Sequence, residues 1–203
     1  MNRRSVFIIV LFLLQQGCSK DSSPSAPVEK PTEKNFLELA WKNFESQHYD
    51  SAVINFTEAY NKATTANVRG EAIAGRGWAN AYARDLSKAK SDFAFALNIS
   101  GLSNDLQTDI RAGTACVLYA INDFAGTLSF AQPVLADKPT YVFAHDPKVT
   151  AKRIRLLMIQ SYYATGQFTQ AADHMNILDP SGAPHSIDAA ILLGKIQAAL
   201  NSL

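Results

Sequence analysis

Two cysteines in 203 residues, Cys18 and Cys116, are too few for a disulfide framework. Charge of one sign is missing too: 19 basic residues face 18 acidic ones, and no stretch gathers Lys and Arg into a stripe. That balance excludes a nucleic-acid footprint, which needs clustered cations to displace counterions from phosphates. Long apolar runs are absent beyond the nine residues Val6–Leu14, well short of the ~20 needed to cross a bilayer as a helix. Sustained period-2 alternation is absent, so strands are not expected. There is no Gly-x-Ser-x-Gly elbow, no phosphate-cradling loop and no His-Glu-x-x-His. His48, His145, His174 and His185 share no metal-ligand spacing with one another or with cysteine, so neither metal nor cofactor is expected. Gly75-Arg76-Gly77 is a fragment of a dinucleotide fingerprint set in a helical pattern, and helix packing explains its glycines better. Cys116 reads as a small buried residue, since nothing in the sequence nominates a base to activate it.

What is present begins with composition: 47% hydrophobic and 18% charged residues fit one ordinary globular domain or a short solenoid. The amino terminus sets the compartment. Asn2-Arg3-Arg4 precede Val6–Leu14, and Gln15-Gln16-Gly17-Cys18 follow, the layout of a signal peptide over residues 1–17. Leu13–Cys18 resembles the lipobox of bacterial lipoproteins through Gly17 and Cys18, although Gln15 stands where that class prefers an aliphatic residue. The resemblance implies lipidation of Cys18, anchorage by several acyl chains, and a place in the cell envelope. The alternative is ordinary signal-peptidase cleavage that leaves Cys18 a free thiol. Residues 18–33 then form a disordered tether, rich in Ser, Pro and mixed charge. Its reach is on the order of 20 Å as a coil and about 50 Å when stretched. Ser19 is not the Asp that retains lipoproteins in the inner membrane of enteric bacteria, so by analogy the anchor is expected in an outer membrane, facing the periplasm, with a Gram-positive surface as the alternative.

From residue 34 to 203 the chain repeats itself. Trp41 recurs as Trp78, Asn43 as Asn80, Tyr49 as Leu86, Ala52 as Ala89, Phe56 as Phe93 and Ala59 as Ala96, all at an offset of 37. A fixed offset of that size marks stacked units, none of which can bury its apolar face alone. At an offset of 38, Ala74-Gly75 matches Ala112-Gly113 and Leu86 matches Phe124, while Tyr162, Gly166, Phe168 and Ala171 mark a fourth unit. The spacing predicts helix pairs at 34–47 with 50–64, 69–83 with 87–99, 105–121 with 124–136, and 149–164 with 168–178. A closing helix is expected at 187–202, N-capped by Ser186. It carries two stripes, a flat one of Ile187, Ala190, Ile191, Gly194 and Ala198, and a bulkier one of Leu192, Leu193, Ile196 and Leu200. The segment 137–147, with Tyr141, Phe143 and His145 between Pro139 and Pro147, reads as an inserted loop that tucks its aromatics over the edge of the stack, with a functional loop as the alternative.

The pattern of aromatic or Leu, Ala, Phe and Ala resembles the tetratricopeptide repeat. Arg76 at a Leu position, Asn43 and Asn80 at Tyr positions, and Thr127 at an Ala position depart from it. The resemblance implies an all-α solenoid of four helix pairs plus a capping helix, with the first helix of each pair lining a concave groove. Carried onto this sequence, the groove positions are Lys34, Leu37 and Trp41 in the first repeat, Glu71, Ala74, Trp78 and Tyr82 in the second, Asp109, Ala112, Cys116 and Tyr119 in the third, and Arg153, Leu156, Gln160 and Tyr163 in the fourth. Two readings of the tryptophans stay open: aromatic walls of a trough for a peptide or a sugar, or bulk filling an Ala-rich core. The expected function is a non-enzymatic scaffold in the envelope that binds a protein or peptide, with a part in outer-membrane assembly. The alternative is a lipoprotein that captures a glycan or other small solute.

Overall fold

Thr32, Thr65, Asp85, Ser103, Asp123 and Thr150 each turn a side-chain oxygen onto the backbone N–H three residues ahead, and each starts a helix. The computed structural model describes residues 32–202; the expected signal peptide, Cys18 and the expected tether as far as Pro31 lie outside them. The described helices are α1 (Glu33–Glu45), α2 (Tyr49–Lys62), α3 (Ala66–Tyr82), α4 (Leu86–Leu97), α5 (Asn104–Ala120), α6 (Phe124–Asp137), α7 (Ala151–Ala164), α8 (Phe168–Leu178) and α9 (Ala189–Ser202). Each packs on its neighbour in sequence, and α1, α3, α5 and α7 also touch one another in series. This is the expected arrangement of four helix pairs and a closing helix.

The repeated residues do the packing. Ala52, Phe56 and Ala59, and their counterparts Ala89, Phe93 and Ala96, are all fully buried. The Phe56 ring lies so close to Gly75 that a Cβ there would stand 2.3 Å from it, and the Phe93 ring bears the same relation to Gly113. One large ring and one glycine at each interface let successive pairs approach closely. Thr127 is tolerated at its Ala position because its hydroxyl donates to the Asp123 carbonyl at 2.8 Å.

Within each pair the same turn recurs. Gln47, Arg84, Asn122 and Gly166 adopt φ of 63°, 66°, 62° and 74°. The next residue's N–H then bonds back to Asn43, Asn80, Leu118 and Tyr162 O at 2.8–2.9 Å. This left-handed turn satisfies the last carbonyls of the first helix. Only Gly166 was legible as such, because the other three positions hold residues with side chains.

Two expectations are corrected. The insertion contains an antiparallel hairpin, β1 (Val142–Phe143) with β2 (Asp146–Thr150), and α7 starts only after it. The pair is too short to show alternation, and its ladder is irregular between Val142 and Phe143. The cap of α9 is Asp188, not Ser186: Asp188 Oδ1 accepts from Ala190 and Ile191 N–H at 3.0 Å, and Ser186 only accepts from Asp188 N–H. A carboxylate at the positive end of the helix is the stronger partner. Leu192 and Ile196 seal the stack, whereas Ile187 and Ile191 stay more than half exposed.

Candidate functional site

The concave side is built from first helices, as the repeat pattern implies, with Ala74 and Ala112 buried in its floor. The hairpin between α6 and α7 does not lie over an edge but enters this groove. Phe143, 1% exposed, stacks on Trp78 with ring centroids 4.5 Å apart and meets Trp41 edge-on at 6.0 Å. His145 stacks flat on Trp41 at 3.6 Å, and its Nδ1–H donates to Glu45 Oε1 at 2.8 Å. Tyr141 donates to Asp109 Oδ1 at 2.9 Å, and the Tyr82 hydroxyl donates to Asp146. Helices α1, α3 and α5 thus together hold Tyr141, Phe143, His145 and Asp146 of the hairpin segment.

The hairpin divides the groove. On one side a cleft of about 890 Å³ remains, walled by Phe44, Tyr49 and Tyr82, floored by Ile154, Leu156 and Leu157, and rimmed by Lys148 and Arg153. On the other side a pocket of about 200 Å³ is lined by Trp41, Trp78 and Phe143 together with Glu71, Asp105 and Asp109. Among the carboxylates, Glu71 accepts from Trp41 Nε1–H at 2.9 Å and Asp105 pairs with Lys138 at 2.6 Å.

Of the residues singled out in the sequence, Tyr82, Arg153 and Gln160 come together in the larger cleft. Trp41 is half-buried between Glu71 and His145. Trp78 is 2% exposed, and its Nε1 is buried with no hydrogen-bond partner among the described residues. Tyr119 lines neither space and packs edge-on against Phe124. The sequence reading missed Phe143, His145 and Asp146 as groove residues. Their only signal was an aromatic-rich insertion bounded by prolines.

Burial pushes the Cys116 thiol up to about 12. Burial, and then the neighbouring Asp146, raise the Tyr82 hydroxyl, while burial followed by Asp109 raises Tyr141. Burial also raises the Asp109 carboxyl against the opposing Tyr141 hydrogen bond. For the Cys116 thiol this rise is the reverse of the shift that activates a nucleophile.

No protein-family model matches the chain, and no curated protein matches it. Solved structures do. MamA AMB-1 aligns over 83% of this chain and 93% of its own, with a TM-score of 0.59 and 12% identity. MamA MSR-1 aligns over 83% and 91%, with a TM-score of 0.60 and 12% identity. A double mutant of MamA RS-1 aligns over 84% and 95%, with a TM-score of 0.61 and 17% identity. What these proteins share with the chain is the fold, an α-solenoid of the tetratricopeptide type.

Proposed function

We propose that the chain is a scaffold whose concave face binds a protein or peptide partner, and that it carries out no reaction itself. The observation that carries this reading is the open cleft, where side chains from separate repeats converge as an aromatic wall, an apolar floor and two rim cations. Neither Lys148 nor Arg153 forms a side-chain ion pair among the described residues, so the rim favours a partner segment with acidic character. The lipobox-like Gly17-Cys18 and the polar tether support anchorage to an envelope membrane, with the outer membrane and its assembly as the setting. Glycan capture is disfavoured, because His145 covers one face of Trp41 and Phe143 one face of Trp78.

A photocrosslinking residue at Gln160, in the cleft, tests the reading in cells against the same residue at Phe95 on an exposed second helix. The expected result is a protein adduct from position 160 that Arg153→Glu weakens. Adducts no different from those at position 95 would overturn it. For the anchor, Cys18→Ser is expected to move the protein to the soluble fraction, and continued partition with membranes would count against lipidation.

A further inference from the structure

The hairpin is held as a ligand would be held. Tyr141 and Phe143 are buried to 2% and 1%, yet they come from an insertion outside the repeat pattern. Their partners are residues of three different first helices: Trp41 and Glu45 on α1, Trp78 and Tyr82 on α3, and Asp109 on α5. A ring placed between two tryptophans and a carboxylate placed on a tyrosine hydroxyl, paired with each other across the turn Ala144-His145, make a recognition pattern for a hairpin turn.

We propose that residues 140–149 are a resident occupant of the groove, and that the segment they exclude is a partner's tight hairpin turn bearing an aromatic residue followed three positions later by a carboxylate. This rests on the reading of the concave face as a protein-binding surface and names the chemistry it takes. The occupant fits imperfectly. Trp78, against which Phe143 stacks, keeps its indole N–H buried without an acceptor among the described residues, a defect whose repair is worth roughly tenfold or more in affinity. An incoming segment that offers an acceptor there gains what the hairpin lacks. The hairpin's advantage is tethering, which gives it an effective concentration in roughly the millimolar range. A partner therefore wins by fit, and weakening the hairpin's hold exposes the slot.

The test uses the full-length protein and a synthetic peptide of residues 140–149, TYVFAHDPKV. This peptide has no tryptophan, so emission from Trp41 and Trp78 reports its arrival. Wild type is expected to bind it weakly, Phe143→Ala at least about tenfold more tightly, and His145→Ala at an intermediate level. A peptide carrying Ala in place of its Phe is expected to lose that gain. A Phe143→Ala protein that keeps its helical circular dichroism and binds no better than wild type would overturn the proposal, as would equal binding of the Phe-less peptide. Should Phe143→Ala fail to fold, His145→Ala decides: unchanged affinity overturns the proposal. Protein adducts at position 160 without peptide exchange would refute this inference and leave the scaffold reading standing. Absence of both would remove the two together.

Discussion

Arg76 grips Asp92 with two parallel hydrogen bonds, Nη2 to Oδ1 at 2.6 Å and Nε to Oδ2 at 3.1 Å, between helices α3 and α4. Asn80 adds a third at 2.9 Å, and Arg76 also donates to Thr57 at 3.3 Å. The two departures from the repeat pattern in this unit, Arg76 and Asn80, therefore serve one buried carboxylate. Arg76→Leu, which restores the pattern, is expected to strand Asp92 and cost about 3 kcal/mol in urea denaturation. Arg76→Leu with Asp92→Leu is expected to recover most of that loss, because no charge is then left unpaired.

Alanine in place of glycine is expected to have opposite signs at two helical positions. At Gly113 a Cβ would stand 2.3 Å from the Phe93 ring, so Gly113→Ala is expected to destabilise by about 1–3 kcal/mol. At Gly194 no described residue beyond its own helix backbone would lie within 4 Å of an added Cβ, and Gly194→Ala is expected to stabilise by about 0.5–1 kcal/mol through helix propensity alone. Thermal unfolding of the two variants checks both.

The left-handed turns give a second handle on stability. Arg84 holds φ of 66° with a side chain that disfavours it, so Arg84→Gly is expected to add about 0.5–1 kcal/mol. Asn122→Gly is expected to add less, because asparagine visits this region more readily.

His174 gives the protein an acid-sensitive contact. Arg155 Nη1 donates to His174 Nδ1 at 3.2 Å, and the Tyr162 ring stacks on the imidazole. Burial first, and the adjacent Arg155 second, hold the imidazole below its ordinary value of 6.5. A proton thus enters the unfolded chain more readily. The contribution is complete above pH 6.5 and is lost as pH falls through the folded value. Asp109, raised by burial, works in the opposite direction above its ordinary value. The comparison with His174→Gln isolates the histidine: between pH 7.5 and 5, wild type is expected to lose more stability than the variant.

The pattern of small and aromatic residues was enough to place the helices, because Ala52, Phe56 and Ala59 and their copies recur at the spacing that packing demands. It did not separate Trp41 from Trp78. They occupy equivalent places in the repeat, yet Glu71 and His145 hold the first half-open and Phe143 seals the second. That difference is made by Glu71, 30 positions from Trp41, and by Phe143 and His145 in the insertion, beyond the reach of any local period. The hairpin escaped notice for the same reason: its two-residue first strand is stabilised by the groove it enters, not by its own sequence. Tyr82, Arg153 and Gln160 were legible because they fall on the inward stripe of their own helices.

A stack of helix pairs ordinarily touches only its neighbours, and its ends can fray while the middle holds. Here Glu45 at the end of α1 is bonded to His145, just ahead of α7, across 100 residues of sequence. That strap laces the first unit to the last. It should make the array melt as one cooperative body, and cutting it should let the first pair open ahead of the rest.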